Sequence, residues 1–329
     1  MRHAWWAAAL TATATAAAQA EPEAATRAAA ARQTAEQSAA CAPAQPFYWE
    51  VGDAGQALAS GSVGSGAPTA TTELAIASAS KWVWGAVVAE QRGGRLSDED
   101  VRFLTFRSGY TRFRFCRPGQ TVADCQQALL NGRGQPDPAT EGRFSYSGGH
   151  MQQQAVRLGL GDADRAALAR AVRLALAPAL GADWQFDYAQ PQPAGGGRSS
   201  AAHYARFLRG LLGAQLQLGR LLGRQAVCTQ TASCPGQAVN TPIPAAERWH
   251  YSLGHWVEDD PQVGDGAFSS PGAFGFYPWI SADRRFYGVV AREQRSGAAS
   301  GDPSDRPSIV SVDCGRQIRA AWRAGVPQP

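Results

Sequence analysis

Ser78 and Lys81 are the residues whose types and spacing first indicate catalysis. They stand three positions apart in the stretch Ser78-Ala-Ser-Lys81. If a helix begins at Ser78, this spacing places the hydroxyl and the amine on one helical face, within reach of each other. A serine hydroxyl is a poor nucleophile at neutral pH and needs a neighbouring base. The pair therefore predicts a nucleophile and the group that takes its proton.

Lys81 is also the only lysine in the chain, because every other cationic side chain is an arginine. Arginine keeps its proton in proteins, whereas a lysine buried in apolar surroundings can lose it. Lys81 lies between Ile76 and Trp84 rather than in a polar run. The alternative is a surface lysine in a chance match to a short pattern. The apolar neighbours favour a catalytic amine.

Tyr146 is a second candidate base. It lies in an aromatic, strand-like stretch that breaks at Gly148-Gly149. A tyrosinate beside an ammonium is a workable base, because the positive charge lowers the phenol pKa from about 10. The alternative is a packed aromatic residue at the start of a helix. The sequence alone leaves both roles open.

The segments around these residues predict an α+β fold. A hairpin and a buried helix come first, a long helical segment follows, and three strands and a helix end the chain. This order fits an antiparallel sheet that is built from both ends of the chain, flanked by helices and interrupted by an inserted all-helical lobe. The predicted segments are the hairpin at 47–63, the buried helix at 82–91, the helical segment at 96–245, the strands at 251–257, 272–280 and 285–292, and the last helix at 314–324.

The beginning of the chain has the pattern of a secretory signal. Arg2 is followed by a Trp- and Ala-rich run and by the small residues of Ala18-Gln-Ala20. This order predicts a cleavable signal peptide at 1–20 and a periplasmic or secreted protein. No later apolar run approaches the length that a bilayer requires, so we expect no membrane span.

The remaining residues are expected to form one domain behind a spacer. Residues 21–44 offer no apolar stripe to bury and are interpreted as the spacer. Residues 45–324 form the predicted catalytic domain. Within it, 45–95 and 246–324 make an α/β lobe, and 96–245 make the helical lobe.

Six cysteines agree with export, since disulfides form in oxidising compartments. Two pairs are close in sequence and would each close a short loop: Cys116 with Cys125, and Cys228 with Cys234. This leaves Cys41 to join Cys314, which would hold the start of the domain against its end. The pairing rests on sequence proximity.

Charge and composition limit the partners. The net charge is +4, and the arginines are interpreted as scattered, with no run interleaved with exposed aromatic residues, so we expect no nucleic-acid partner. His250 and His255 lie near acidic residues, but their spacing fits no zinc motif, and no metal or cofactor is predicted. The glycine run at 195–197 lacks the preceding strand and following lysine of a phosphate loop.

Five motifs, in the order that a known family has them, carry a resemblance to that family. The sequence resembles the serine beta-lactamase and penicillin-binding protein superfamily, in its class C-like branch, from about residue 47 to 322. That branch includes lactamases, D-alanyl peptidases and esterases. The motifs are Ser78-Ala-Ser-Lys81, Tyr146-Ser-Gly148, Gly195-Gly-Gly-Arg-Ser-Ser-Ala, Tyr251-Ser-Leu-Gly-His-Trp and Ser270-Pro-Gly-Ala-Phe-Gly275.

The resemblance implies a beta-lactamase/transpeptidase-like fold and specific roles. Ser78 would be the acylated nucleophile, and Lys81 and Tyr146 would share the base and acid roles. The backbone N–H groups of Ser78 and Ala273 would form the oxyanion hole. Gly148, His150, Ser270 and Gly272 would lie at the substrate.

Two positions depart from the family pattern. Gly148 ends the Tyr146-Ser-Gly148 motif, where the family usually has Asn. Ser270 begins the Ser270–Gly275 motif, where the family usually has Lys or His. A hydroxyl donates a hydrogen bond but brings no charge, so binding of a free carboxylate there would require an arginine. His150 and Gln152 are the nearby candidates to replace the missing amide.

The predicted function is an exported serine hydrolase that forms an acyl-enzyme on Ser78 and hydrolyses a small ester or amide. The first alternative is a D-alanyl-D-alanine carboxypeptidase or a beta-lactamase, with a peptidoglycan-derived or penicillin-like substrate. The second is a non-catalytic binder of peptidoglycan fragments. Intact Ser78, Lys81 and Tyr146 favour catalysis.

Overall fold

The computed structural model describes residues 23–295 and 303–329, and its strands are mostly short. The strands are β1 (Phe47–Gly52), β2 (Ala57–Val63), β3 (Leu74–Ala75), β4 (Phe144–Ser145), β5 (Asp187–Tyr188), β6 (Gly197–Ser199), β7 (Val227–Cys228), β8 (Ala238–Asn240), β9 (His250–Tyr251), β10 (Trp256–Glu258), β11 (Ala267–Ser269), β12 (Tyr277–Ile280) and β13 (Tyr287–Ala291). The helices are α1 (23–37), α2 (Ser80–Gln91), α3 (Asp98–Leu104), α4 (Val122–Gln127), α5 (Gly149–Ala155), α6 (Arg165–Leu180), α7 (Ala201–Leu212), α8 (Gln217–Arg220) and α9 (Pro307–Ala324).

The main sheet has eight strands in the order β2-β1-β13-β12-β11-β10-β9-β7. Its neighbouring strands are antiparallel, and β1 pairs with β13 from Tyr48 opposite Ala291 to Gly52 opposite Tyr287. Strands from the two ends of the chain therefore lie side by side within one sheet. This arrangement confirms the predicted α+β fold with an antiparallel sheet flanked by helices.

The inserted segment is not entirely helical, in contrast to the prediction. It contains β4 to β8, and β7 extends the main sheet by pairing with β9. Strands β5 and β6 form a second small sheet with β3. These strands have only two or three residues, so they show no alternating pattern that could be recognised in the sequence.

Helix α1 packs against the domain, so the interpretation of 21–44 as a spacer with nothing to bury is wrong for this part. Ala31, Thr34 and Ala35 are fully buried. The Thr34 hydroxyl accepts a hydrogen bond from the Gln328 backbone at 2.8 Å. Alanine is too small to stand out as an apolar stripe, which is why the sequence did not reveal this face. The outer boundaries of the domain stay a prediction, and the predicted signal peptide lies outside the described residues.

The six cysteines pair as predicted. Disulfides join Cys41 to Cys314, Cys116 to Cys125 and Cys228 to Cys234. The first pair links positions separated by 273 residues and ties the segment before β1 to α9. A cross-link that closes a loop of this length restricts the unfolded chain more than a short local link does.

A buried ionic network fixes α9 to the sheet. The Glu258 carboxylate on β10 is fully buried, with Arg319 at 3.1 Å and Arg316 at 3.2 Å. The Tyr277 hydroxyl on β12 donates to the same carboxylate at 2.7 Å. The buried charge is thereby paired and hydrogen-bonded, which its desolvation requires.

Helix α2 runs through the middle of the molecule, and ten of its twelve residues are buried. It meets the turn at Leu253-Gly254 so closely that a Cβ at Gly85 would lie 2.5 Å from the Leu253 carbonyl oxygen. In the parts of the chain that the structure describes, α2 and the other helices are too short or too polar to cross a membrane.

Candidate active site

Ser78 lies in a single 3-10 turn, Ala77–Ala79, that leads directly into α2. Ala77 has a φ of 44°, a left-handed conformation that is costly for a residue with a Cβ. Such strain persists only where the surrounding structure enforces it, and it concentrates at functional sites. The strained residue here directly precedes the candidate nucleophile.

Ser80 and β6 hold this turn in place. The Ser80 hydroxyl donates to the Ala77 carbonyl oxygen at 2.6 Å and accepts from the Gly197 N–H at 3.0 Å. The Tyr204 hydroxyl donates to the Ala79 carbonyl oxygen at 2.8 Å. A Cβ at Gly197 would lie 2.5 Å from the Ser80 oxygen, so the glycine permits this approach. The glycine run at 195–197 therefore supports the turn that carries Ser78.

Lys81 is placed to take the proton of Ser78. Its Nζ lies 2.9 Å from the Ser78 Oγ and donates to the Ala194 carbonyl oxygen at 2.7 Å. The side chain is almost completely buried, and this burial lowers the pKa of Lys81 to about 7. Near neutral pH a large fraction of the amine is therefore uncharged. A neutral amine at hydrogen-bond distance can act as a general base.

Tyr146 lies against the same amine. Its ring centre is 4.7 Å from the Lys81 Nζ, and the ring stacks on Trp256 at 5.3 Å. Burial raises the pKa of Tyr146 to about 12, although hydrogen bonds with Ser78 and Trp256 act in the opposite direction. The expected lowering of this pKa is therefore wrong. A protonated phenol is a proton donor at neutral pH rather than a base.

Ser270 contacts the turn that carries Ser78 directly. Its hydroxyl donates to the Ser78 carbonyl oxygen at 3.0 Å, and the side chain is buried. Nearby, the Gly272 N–H donates to the Phe276 carbonyl oxygen at 2.8 Å, and a Cβ at Gly272 would lie 2.2 Å from the Ile76 carbonyl oxygen. Ser270 and Gly272 thus pack against and position the turn, and their predicted contact with the substrate stays a prediction.

The predicted oxyanion donors lie in compatible surroundings. Ala273 follows Gly272 in an exposed turn, and Ser78 is only partly buried. The backbone N–H groups of Ala273 and Ser78 have no hydrogen-bond acceptor among the residues that the structure describes. Their role in binding an oxyanion stays a prediction.

Phe113 occupies the space beside Gly148, and the sequence reasoning missed it. A Cβ at Gly148 would lie 3.0 Å from two carbons of the Phe113 ring and 3.5 Å from the Ala194 Cβ. A side chain such as the family's Asn therefore does not fit at this position unless the ring moves. The contact joins residues that are far apart in sequence, so no local pattern indicates it.

His150 and Gln152 do not replace the missing amide. His150 is fully buried, with Nδ1 at 2.7 Å from the Ser108 hydroxyl and Nε2 at 3.0 Å from the Ser145 carbonyl oxygen. The Gln152 amide donates to the carbonyl oxygens of Val122 and Pro191. Both side chains are engaged inside the inserted segment, so their predicted role at the substrate is wrong.

His250 and His255 each contact another side chain. His250 pairs with Asp259 at 2.8 Å, and His255 is buried and stacked on Trp82. Within 23–295 and 303–329, no group of three or more His, Cys, Asp or Glu side chains is placed to hold a metal ion.

Comparisons with known proteins identify the fold. No protein-family model matches the chain, and no curated protein matches it. Among solved structures, a beta-lactamase-like protein from Bacteroides dorei DSM 17855 is similar with a TM-score of 0.62 at 21% identity, over 84% of this chain and 93% of that one. EstCE1, a hydrolase with promiscuous acyltransferase activity, has a TM-score of 0.58 at 14% identity, over 90% and 99% of the two chains.

A third similar structure is a penicillin-binding protein from Bacillus halodurans, with a TM-score of 0.54 at 12% identity over 83% of this chain and 95% of that one. Identities of this size establish the fold and not the activity. The class C-like branch stays a prediction. The chain therefore has the fold of the serine beta-lactamase and penicillin-binding protein superfamily, as the resemblance of its motifs predicts.

Proposed function

We propose that this chain is a serine hydrolase that forms an acyl-enzyme on Ser78 and hydrolyses a small ester or amide. The observation that carries the proposal is the Lys81 amine, which lies 2.9 Å from the Ser78 hydroxyl and has a pKa of about 7. A nucleophile and a base poised near the working pH are the minimum that acyl transfer requires.

In the proposed acylation step, neutral Lys81 takes the proton as the Ser78 Oγ attacks the substrate carbonyl carbon. The carbonyl electron pair moves to its oxygen, and the N–H groups of Ser78 and Ala273 donate to that oxyanion. Donors of this kind lower the barrier by about 3 to 4 kcal/mol each. The leaving group departs with a proton that Lys81 returns, either directly or through the Tyr146 hydroxyl. Water then attacks the acyl carbonyl carbon while Lys81 takes a proton from it. The bond from that carbon to the Ser78 Oγ breaks, and Lys81 returns the proton to Ser78 as the acid product leaves.

The uncharged residue at position 270 favours an ester or amide substrate that has no carboxylate beside this residue. Ser270 carries no charge, and its hydroxyl already donates to the Ser78 carbonyl oxygen. A penicillin or a D-alanine terminus would bring a carboxylate to a place where the family usually has a cation. This departure makes a beta-lactamase or a D-alanyl-D-alanine carboxypeptidase the less favoured alternative.

Active-site labelling tests the proposal. The protein is treated with a fluorophosphonate, digested and mapped by mass spectrometry, with Ser78→Ala as the test variant and Ser65→Ala, at an exposed loop position, as its matched control. We expect an adduct on Ser78 that the first substitution abolishes and the second leaves in place. A folded protein without label at Ser78 would refute the proposal.

Two substrates separate the enzymatic alternatives. A short-chain nitrophenyl ester should be hydrolysed faster than a chromogenic cephalosporin. The reverse order would assign the beta-lactamase or carboxypeptidase activity instead. Binding of peptidoglycan fragments without acylation would favour a non-catalytic binder.

We also propose that the protein is exported to the periplasm or secreted. The three disulfides support this location, since such bonds persist mainly in oxidising compartments. Mass spectrometry of the protein recovered from the periplasm or medium should find Glu21 as the new N-terminus.

A further inference from the structure

A groove with a volume of about 500 Å³ lies beside the second motif. Its walls are the segment 111–114 and the turn 129–133, and we call it the arginine groove. Three of its lining side chains are cationic and three are apolar: Arg112, Arg114 and Arg133, and Phe113, Leu129 and Leu130.

Phe113 connects the arginine groove to the catalytic residues. It lines the groove, and its ring also lies against Gly148, two residues after Tyr146. The Ser147 hydroxyl donates to the Thr111 carbonyl oxygen at 3.1 Å. The segment that carries the arginines therefore runs across the beginning of α5, next to the site.

The walls of the groove are held together by buried polar contacts. Asn131 is 3% exposed, and its amide donates to the carbonyl oxygens of Cys125 at 2.7 Å and Phe115 at 3.2 Å. Its side-chain oxygen accepts from the Arg114 N–H at 2.8 Å. The Cys116–Cys125 disulfide joins the residues just after the first wall to α4, which precedes the second wall. A rigid groove of this kind loses little freedom when a ligand binds.

Positive charge is concentrated around the groove. Residues 105–135 contain five arginines and one aspartate, an excess equal to the +4 of the entire chain. The interpretation of the arginines as scattered is therefore wrong here, since Arg112 and Arg114 alternate with Phe113 and Phe115. Asp137 lies 3.3 Å from the Arg112 guanidinium.

Arg133 adopts an unusual backbone conformation at the groove. Its φ is 55°, between Gly132 and Gly134, which are also left-handed. Glycine would adopt this conformation without the cost that a side chain incurs. The side chains of Arg133 and Arg114 have no acceptor among the described residues. A strained arginine with a free guanidinium is expected where that charge has a function.

We infer that the arginine groove binds the far end of the substrate, and that this end is an apolar chain terminating in a carboxylate. The inference rests on the proposed function, since the near end of the substrate is the ester or amide that Ser78 attacks. Phe113, Leu129 and Leu130 contact the apolar part of the substrate, and the two leucines are 74% and 40% exposed. Guanidinium groups bind the carboxylate through paired N–H donors.

The test compares esters that differ only in the terminal charge. Nitrophenyl monoesters of succinic, adipic and suberic acid are each paired with the neutral nitrophenyl ester of equal acyl length, and the measurement is the ratio of their kcat/KM values. We expect a ratio of about ten for the acyl chain long enough to reach the arginines, since each exposed ion pair contributes roughly a two- to fivefold effect and the carboxylate meets more than one guanidinium. Added salt should reduce it, because exposed charges are screened.

Matched variants locate the effect. The test variant is Arg112→Gln with Arg114→Gln and Arg133→Gln. The control changes three exposed arginines elsewhere to glutamine and removes the same charge; these are Arg165, Arg170 and Arg220. The ratio should fall to about one in the first variant and stay near the wild-type value in the second. Circular dichroism and urea unfolding check that both are folded.

Several outcomes would overturn the inference. These are a wild-type ratio near one at every chain length, or an equal loss in both variants. A labelled oligonucleotide that binds through the three groove arginines, without discrimination among the esters, would assign the surface to nucleic acid instead. If these results occur while Ser78 is still labelled by fluorophosphonate, the proposed hydrolase function stands and only the groove assignment fails.

Discussion

Replacing Lys81 by methionine should abolish acylation and also stabilise the fold. Methionine has a similar length but carries no titratable group, so it removes the base and its desolvation cost together. In the native protein burial lowers the pKa of Lys81 from 10.5 to about 7. The unfolded chain keeps the ordinary value, so the two states bind protons differently between these pH values.

The sign and size of the effect follow from that difference. Between pH 7 and pH 10.5 the unfolded chain binds more protons at this position, so the free energy of unfolding of the wild type rises with pH. Below pH 7 both states are protonated, and the full cost of burying the amine, about 5 kcal/mol, remains. The hydrogen bonds to Ser78 and Ala194, about 1 kcal/mol each, offset part of this cost.

The methionine variant should therefore be more stable than the wild type by about 3 kcal/mol at or below pH 6. Its advantage should shrink by about 2 kcal/mol from pH 7 to pH 9. Urea unfolding of both proteins, with disulfides intact, measures the difference at each pH, and other titrating groups cancel. A difference that does not change with pH would mean that Lys81 keeps an ordinary pKa, and acylation of the variant at the wild-type rate would refute its role as the base.

Four further predictions concern the site. The acylation rate of the wild type should rise with pH through a midpoint of about 7 as Lys81 loses its proton, and stopped-flow kinetics with a nitrophenyl ester would reveal a midpoint elsewhere. Tyr146→Phe should lower that rate by about 10²-fold without moving the midpoint; a shifted midpoint would make the phenol the titrating base. Gly148→Asn should destabilise the protein by about 1 to 3 kcal/mol because the side chain meets Phe113, and combining it with Phe113→Ala should recover part of the loss in thermal unfolding. Ser80→Ala leaves the buried Gly197 N–H without its acceptor and removes one of the two hydrogen bonds to the Ala77 carbonyl oxygen, should cost about 1 to 3 kcal/mol and should slow acylation in the folded fraction; unchanged unfolding and kinetics would contradict its positioning role.

The parts of the site that could be predicted are those encoded by short spacing. Ser78 and Lys81 face each other because they are three positions apart at the start of a helix, and the single lysine distinguishes this match from chance. The short cysteine loops are local for the same reason, and they determine the long pair by elimination. Local geometry is present in the sequence before the chain folds.

The errors arise where distance in sequence and distance in space differ. His150 is two positions from Gly148, but residues two apart on a helix point in opposite directions. Burial raises the pKa of Tyr146, and part of the burying surface is Trp256, which is far along the chain. An argument from the neighbouring charge alone omits this burial. Ala194 and Phe113 reach the site through loops whose paths no periodic pattern indicates.

The pairing of β1 with β13 has a consequence for how the protein folds during its synthesis. The partners Tyr48 and Ala291 are separated by most of the domain, so this contact has a high sequence separation and should form late and slowly. A ribosome that has released only the first two thirds of the chain has already delivered Ser78, Lys81 and Tyr146, but not the strand and turn that hold Ser270 against them. Nascent or truncated chains should therefore lack the proposed hydrolytic activity although Ser78, Lys81 and Tyr146 are all present, and that activity would begin only when the C-terminal strands enter the sheet.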